Sequence, residues 1–114
     1  MERELGLVVY PTGNVEASKK LFSTLLGVEP YVDAGYYVGF RPGGIEIGLD
    51  PSASARGIDG PIVYWSTSGL EASVEGLVNA GATVHQPATD VGGGMRIAIL
   101  RDDDGNLIGL REAF

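Results

Sequence analysis

Few residues of this chain have side chains whose type and position could support chemistry. His85 is the only histidine and there is no cysteine, so any imidazole chemistry depends on one residue and thiol chemistry is absent. Glu46 lies between Ile45 and Ile47. Side chains alternate across a strand, so Glu46 is expected to face away from the two isoleucines. It is then either a pocket carboxylate that binds a positively charged ligand group or a charge at the pocket rim.

Tyrosines form the second group of candidates. Tyr64 and Ser66 share one face of a predicted strand, and Trp65 lies on the other face. If the first face lines a pocket, as the family resemblance described below implies, Trp65 is expected to pack in the core against a helix or a partner. Tyr36 and Tyr37 occur in another strand-like segment. A tyrosine combines apolar area with a hydroxyl group, which suits ligand recognition. Tyrosines are also ordinary strand residues, so both interpretations stay open.

Two further clusters suggest chemistry by composition only. Asp102, Asp103 and Asp104 precede Gly105-Asn106, and aspartate in that context is typical of a hairpin turn. The run 92–94 is Gly-Gly-Gly, but it precedes a strand rather than a helix, so it does not match a phosphate-binding loop. We expect a mobile flap beside the pocket there. His85, next to Gln86-Pro87, is typical of a surface or hydrogen-bonded histidine, and it stays a candidate for ligand contact.

Charge and hydropathy exclude several classes of partner. The formal net charge of −7 argues against nucleic acid, because phosphate binding requires a basic patch. No apolar run approaches the roughly 20 residues of a membrane span, so no membrane partner is expected. The amino-terminal residues lack the pattern of a secretory signal. Together with the absence of cysteine, this favours a cytoplasmic protein.

Short motifs recur in the same order in the two halves of the chain. Val-Glu-Ala-Ser at 15–18 corresponds to Leu-Glu-Ala-Ser at 70–73, and Ile-Gly-Leu at 47–49 corresponds to Ile-Gly-Leu at 108–110. Such repetition is typical of a duplicated module. Each copy predicts a strand, a helix and three more strands. The first helix is expected to begin after an N-cap at Asn14 and to end at Gly27, with an apolar stripe in between.

The predicted organisation is a single α+β domain made of two βαβββ modules. The first module covers residues 5–50, a small, polar linker covers 51–60, and the second module covers 61–112. In the second module a short strand is expected at Thr83–His85, before the glycine run. The last two strands form a hairpin.

At this level of detail the chain resembles the vicinal oxygen chelate superfamily. The Leu-Leu-Gly that ends the first helix and the closing Arg-Asp-Asp-Asp-Gly-Asn-Leu-Ile-Gly-Leu carry the resemblance, although the usual closing motif has proline where Asp103 stands here. The resemblance implies that each module curls into a half-barrel around a pocket. It also implies that modules pair within a chain or across a dimer, and we expect a homodimer, since two-fold pairing is the commonest closure.

The resemblance also locates the positions of the usual metal ligands. They fall near Leu7 and Ile62 in the first strands and on Gly48 and Gly109 in the last strands. None of these side chains offers the imidazole, carboxylate or thiolate that a divalent ion needs, so no metal and no other cofactor is expected. The two glycines either enlarge a ligand cavity or relieve crowding on a curved sheet.

The functional prediction is metal-independent binding, and possible sequestration, of a small organic molecule in an aromatic, partly apolar pocket. The predicted ligand-binding residues are Tyr36, Tyr37, Glu46, Gly48, Tyr64, Ser66, His85 and Gly109. The alternative is an enzyme, either metal-independent or with a metal at shifted positions such as Glu46 and His85, and a glyoxalase-like lyase or isomerase or a dioxygenase relative is the class implied. A third interpretation is a dimeric module without a pocket.

Overall fold

The structure is a computed structural model, and it describes residues 4–113. The first module comprises β1 (Glu4–Pro11), α1 (Val15–Leu26), β2 (Val32–Ala34), β3 (Tyr37–Phe40) and β4 (Glu46–Asp50). The second module comprises β5 (Ile62–Ser66), α2 (Leu70–Asn79), β6 (Thr83–Asp90), β7 (Met95–Arg101) and β8 (Leu107–Ala113). The mixed α+β fold and the repeated βαβββ order are confirmed.

The chain forms two compact units. Residues 6–62 form the first half, and residues 63–113, together with Glu4 and Leu5, form the second half. The strand order is β2-β3-β4-β1 in the first half and β5-β8-β7-β6 in the second. In each half the first strand of the module pairs in parallel with the last strand, and the remaining pairs are antiparallel. The duplication in the sequence is therefore a duplication of topology.

Local signals set the limits of α1. The Asn14 side chain accepts a hydrogen bond from the backbone N–H of Ala17 at 3.1 Å. Gly27 adopts a left-handed conformation with φ 70°, and its N–H donates to the carbonyl of Ser23. Both ends agree with the sequence, because an N-cap side chain and a C-terminal glycine satisfy backbone groups that the helix leaves unpaired.

Only part of the apolar stripe of α1 is in the core. A buried cluster of Val38, Phe40 and Leu49 packs with the helix residues Val15, Phe22 and Leu26. Leu21 and Leu25 are 64% and 69% exposed. The interpretation of the helix as one continuous apolar stripe is therefore wrong: these two leucines lie outside the arc that contacts the sheet.

The second half has its own core on the α2 side of its sheet. Leu70, Ala98, Leu100 and Leu110 form a buried cluster, supported by the half-buried Val74, Leu77, Ala82 and Ile108. Trp65 pairs in register with Leu110 but is 40% exposed and lies outside this cluster. The prediction that Trp65 packs in the core against a helix is wrong, and packing against a partner stays a prediction.

An arginine connects α2 to the sheet of the second half. The Arg96 guanidinium donates to both carboxylate oxygens of Glu71 on α2 and to Glu112 on β8. Hydrogen bonding to Arg96 lowers the pKa of the Glu71 carboxyl below its usual range. The side chains of these three residues therefore have partners within the half and lie on the helix side of the sheet.

Two segments contain more secondary structure than the sequence predicted. β6 runs from Thr83 to Asp90, well beyond the predicted end at His85, and it contains register shifts against β7. Pro87 lacks the N–H that a regular ladder uses, and an irregular strand accommodates it. The segment 51–60 contains the short 3-10 helix Ser54–Arg56, and Ala53 and Ile58 in it are buried. This segment is folded, whereas a plain linker was expected.

The two turns that flank β7 are closely hydrogen-bonded. Asp102 accepts from the backbone N–H of Asp104 and Asn106 and from the Asn106 side chain, which confirms the predicted hairpin turn. Asp90 accepts from the N–H of Gly92, and Val91 and Met95 close the loop through their backbones. The mobility proposed for this second loop stays a prediction. No helix within residues 4–113 is long and apolar enough to cross a membrane.

Candidate ligand-binding site

One face of the first-half sheet carries most of the predicted candidates. Val38 and Phe40 pack toward α1, so alternation along β3 turns Tyr37 and Gly39 to the opposite face. Gly39 pairs with Gly48 across the β3–β4 ladder. The face opposite α1 therefore holds Tyr37, Gly39, Glu46 and Gly48, and Glu46 faces away from Ile47, as alternation predicted.

A buried carboxylate lies at the centre of this face. The Tyr37 hydroxyl donates to Glu46 Oε2 at 2.6 Å. Glu46 Oε1 lies 3.7 Å from Arg41 Nη2, and the carboxylate side chain is only 11% exposed. The Arg41 guanidinium in turn lies over the Tyr31 ring, 4.4 Å from its centroid. A buried charge is costly unless it is paired and hydrogen-bonded, and Glu46 has both kinds of partner.

Glycine makes this arrangement possible. A Cβ atom at Gly48 would lie 2.3 Å from the Tyr37 hydroxyl oxygen and 2.7 Å from its Cε1 atom. A Cβ atom at Gly39 would lie 3.1 Å from the Tyr37 ring and 3.2 Å from Glu46 Oε2. At position 48, only glycine therefore leaves room for the phenol of Tyr37. The sequence left two interpretations of Gly48 open, an enlarged ligand cavity or relief of crowding, and the Tyr37 side chain lies in the space beside it.

Three further first-half positions complete this description. Leu7 pairs with Glu46 and Val9 pairs with Gly48 across the parallel β1–β4 ladder, so apolar side chains flank the polar pair. Tyr36 precedes β3 and is 77% exposed. The structure brings Tyr37, Glu46 and Gly48 together but does not place Tyr36 with them.

The equivalent face of the second half carries three more candidates. Tyr64 pairs with Gly109, and Ser66 pairs with Arg111, across the parallel β5–β8 ladder. Leu110 packs toward α2, so Gly109 and Arg111 lie on the opposite face. Arg111 Nε donates to Ser66 Oγ at 3.2 Å. Tyr64 is 4% exposed.

His85 is not grouped with these residues. It lies in β6 between Val84, which pairs with Leu100, and Gln86, which pairs with Ile99. The register of the β6–β7 ladder shifts between these two residues, at His85. β6 is three strands from β5, so the backbones of His85 and Tyr64 are about 14 Å apart across the sheet.

Each half also contains an open cleft. One of about 510 Å³ is lined by Glu4, Ser66, Thr67, Ser68, Met95, Arg111 and Ala113. One of about 660 Å³ in the first half lies beside α1 and the segment 29–33, and none of the predicted site residues lines it. Of the predicted residues, Ser66 alone lines either cleft.

Sequence reasoning missed three residues that carry charge or aromatic area. Arg41 lies opposite Glu46 because Phe40 pairs with Ile47, so extending the hairpin register by one residue would have found this pair. Arg111 follows Gly109 by two residues and so shares its face. Tyr31 lies before β2, where no periodic pattern indicated its contact with Arg41.

The sequence of this chain matches the model of a known protein family. The model of the glyoxalase/bleomycin resistance protein/dioxygenase superfamily matches residues 4–110, and this chain belongs to that superfamily. The vicinal oxygen chelate resemblance is confirmed at that level. Among curated proteins there is no significant match.

Solved structures of low sequence identity share the fold. A hypothetical protein from Bacillus halodurans C-125 is 13% identical with a TM-score of 0.77, covering 100% of this chain and 96% of that one. A superfamily member from Vibrio splendidus 12B01 is 13% identical with a TM-score of 0.73, covering 99% and 100%. Methylmalonyl-CoA epimerase from Streptomyces coelicolor, in complex with 2-nitronate-propionyl-CoA, is 16% identical with a TM-score of 0.69, covering 96% and 94%.

The four positions that the resemblance assigns to metal ligands carry no donor side chain. Leu7, Ile62, Gly48 and Gly109 have hydrocarbon side chains or none, and a divalent ion needs oxygen, nitrogen or sulfur ligands. Among residues 4–113, no group of three or more His, Cys, Asp or Glu side chains is arranged to hold a metal ion. These residues do not fit a metal site of the usual kind.

Proposed function

We propose that this protein binds a small organic molecule, without a metal ion, on the face of the first half that holds Tyr37 and Glu46. One observation carries the proposal: the Tyr37 hydroxyl donates to the buried Glu46 carboxylate at 2.6 Å, beside Gly48, whose missing side chain leaves room for the phenol. The superfamily resemblance assigns a metal-binding glutamate to position 48, so a hydrogen-bonded pair of side chains beside this position supports binding without a metal.

The chemistry of this face favours a ligand with a donor or positively charged group. An ionised carboxylate has about four acceptor positions, and the Tyr37 hydroxyl uses one of them, while Arg41 lies at ion-pair distance. A ligand ammonium or amide N–H could take another. Leu7 and Val9 supply apolar contact beside the pair. Such a site, apolar with a few placed polar groups, is typical of small-molecule recognition, and it suits sequestration without turnover.

The second candidate function is catalysis, and the same pair supports it. A tyrosine hydroxyl within 2.6 Å of a carboxylate is an arrangement that can move a proton to or from a bound molecule. An enzyme of this kind would be a lyase or isomerase. That the fold is shared with an epimerase adds an analogy only, because one fold serves many functions.

The test combines metal analysis with ligand screening. Protein purified without chelator is expected to contain no stoichiometric zinc, nickel, manganese or iron, and a panel of metabolites and antibiotics is then screened by thermal shift. A ligand that binds only the native state raises the melting temperature. Stoichiometric metal would favour the enzyme and would overturn the metal-free proposal.

Matched variants locate the site. Glu46→Gln removes the charge but keeps the shape, and it should weaken a positively charged ligand at least tenfold, which corresponds to about 1.4 kcal/mol. Tyr36→Phe is the control, because Tyr36 is exposed and adjacent in sequence to Tyr37. A hit that binds wild type and Glu46→Gln equally well would place the site elsewhere. Consumption of the hit by wild type and not by Tyr37→Phe would establish the enzyme.

A further inference from the structure

One positively charged side chain lies over the face that holds Tyr37 and Glu46. The Arg41 guanidinium lies 4.4 Å from the centroid of the Tyr31 ring, and its Nη2 atom lies 3.7 Å from Glu46 Oε1. We propose that Arg41 is a displaceable internal competitor, and that the ligand of this face is a small molecule that carries a guanidinium group. This inference rests on the proposed function, because it names the ligand class and the control of the same face.

Two tyrosine rings and a carboxylate meet above Gly39. A Cβ atom at this position would lie 3.1 Å from Tyr31 Cε1, 3.1 Å from Tyr37 Cε2 and 3.2 Å from Glu46 Oε2. The backbone holds Tyr31 there, because its N–H donates to the carbonyl of Gly39 at 2.9 Å. The face of an aromatic ring and a carboxylate are both negative, so together they favour an organic cation.

The end of β3 brings Arg41 to this face. Arg41 follows Phe40, whose side chain packs toward α1, so continued alternation turns Arg41 to the opposite side of the sheet. Pro42 comes next, and the residue before a proline favours extended backbone, which prolongs the alternation. Short-range features of the chain therefore direct Arg41 onto the same face as Gly39.

The contacts of Arg41 are loose enough to be exchanged. The 3.7 Å between the charged atoms is longer than a hydrogen bond, and the Arg41 side chain is 62% exposed whereas that of Glu46 is 11% exposed. An ion pair with so exposed a partner contributes little to stability. A ligand guanidinium can take the same position on the Tyr31 ring while Arg41 moves into water, and the buried carboxylate then keeps a positive partner.

A guanidinium group suits this face better than an ammonium group does. It is planar, so it stacks on a tyrosine ring, and it is more weakly hydrated than an ammonium. Its N–H groups lie along its edges and can reach a carboxylate while its face stays on the ring. Arg41 itself turns its face to Tyr31 and an edge nitrogen to Glu46. A ligand that reproduces both contacts is expected to carry the same group.

The test is a titration at constant ionic strength with methylguanidinium chloride, methylammonium chloride and N-methylurea, which has nearly the shape of methylguanidinium without its charge. Nuclear magnetic resonance follows the amide signal of Gly39 and the side-chain signals of Arg41. Methylguanidinium should give saturable shifts and bind at least threefold tighter than methylammonium, and N-methylurea should give none. Over the same concentration range, the Arg41 signals should move to the values of an arginine in water. Binding of N-methylurea or methylammonium as tight as that of methylguanidinium would overturn the ligand class.

Variants of Arg41 test the competition. Arg41→Gln should bind methylguanidinium at least threefold tighter than wild type, because a site that is closed part of the time loses affinity in proportion to its open fraction. Arg41→Lys keeps the charge but not the planar group, so its affinity should fall between the two, and it carries the comparison if Arg41→Gln does not fold. The matched control is Lys20→Gln, which removes an exposed charge from α1 and should bind as wild type does. No gain in Arg41→Gln, or the same gain in Lys20→Gln, would overturn the competition.

The outcomes separate this inference from the proposed function. Addition of Glu46→Gln to Arg41→Gln should weaken methylguanidinium at least tenfold, and an unchanged affinity would overturn its location at the carboxylate. Saturable binding that leaves the Arg41 signals in place would overturn the displacement but agree with the proposed function. Absence of methylguanidinium binding to both wild type and Arg41→Gln would overturn the guanidinium class, while the screen of metabolites and antibiotics would still decide whether this face binds another molecule.

Discussion

At the scale of residues, the first half depends on a mutual arrangement of a carboxylate, a phenol and two glycines. Glu46 is tolerated in a buried position because Tyr37 and Arg41 satisfy it. Tyr37 has room because positions 39 and 48 lack side chains. These features depend on one another, so a change to any one of them should have a measurable consequence.

Removal of the phenol hydroxyl should destabilise the protein. Tyr37→Phe leaves Glu46 buried with one donor fewer, and such a loss costs about 1–3 kcal/mol of the free energy of unfolding. Urea denaturation followed by circular dichroism measures it. The control Tyr36→Phe should change the unfolding free energy by less than about 0.5 kcal/mol, as exposed substitutions usually do. Equal stability of the two variants would contradict a structural role for the Tyr37–Glu46 bond.

Addition of one methyl group at position 48 should have a comparable effect. In Gly48→Ala the new Cβ atom would lie within 3 Å of three atoms of the Tyr37 side chain, so the ring must shift away from Glu46. Overpacking of this kind costs about 1–3 kcal/mol. Gly43→Ala is the matched control, since a Cβ atom there meets nothing within 4 Å. The same denaturation experiment compares them, and an unaffected Gly48→Ala would show that the ring moves freely.

At the scale of secondary-structure elements, the sequence predicts those features that depend on residues close together in the chain. Asn14 and Gly27 limit α1 through contacts within a few positions, and both were predicted. The extension of β6 through Pro87 depends instead on pairing with β7, which no local pattern reveals. The exposure of Leu21 and Leu25 depends on which helical arc meets the sheet. Candidate faces could be predicted from alternation, but the position of the Tyr37 ring over Gly48 could not.

The β7–β8 turn should make stability depend on pH in acid. Hydrogen bonds, first from the Asn106 side chain, lower the pKa of the Asp102 carboxyl below its usual range. The folded state therefore favours the ionised form. This contribution is present above about pH 4 and is lost as the pH falls through the lowered pKa of the folded state.

Asp102→Asn removes this contribution. Thermal unfolding from pH 2 to pH 7 should show a smaller gain in melting temperature with rising pH than wild type shows. Asp103→Asn is the control, because Asp103 lies in the same exposed turn without a hydrogen bond to its side chain among the residues described. Parallel pH profiles for wild type and Asp102→Asn would rule out this account of the turn.

At the scale of the whole molecule, the remaining prediction is a homodimer. The superfamily resemblance implies paired modules, and two-fold symmetry is the commonest way for identical chains to associate. Several large apolar side chains are strongly exposed, among them Leu21, Leu25 and Tyr36. Exposed apolar area that exceeds scattered single residues is typical of interaction surfaces.

Sedimentation equilibrium at micromolar concentration measures the assembly directly. A mass of about twice the 11.9 kDa of one chain is expected, and a mass of one chain would rule the dimer out. The experiment should be repeated at high salt, because a net charge of −7 on each chain opposes association through repulsion that salt screens. If apolar contact holds the dimer together, added salt should tighten it. Dissociation on addition of salt would instead indicate that ion pairs form the interface.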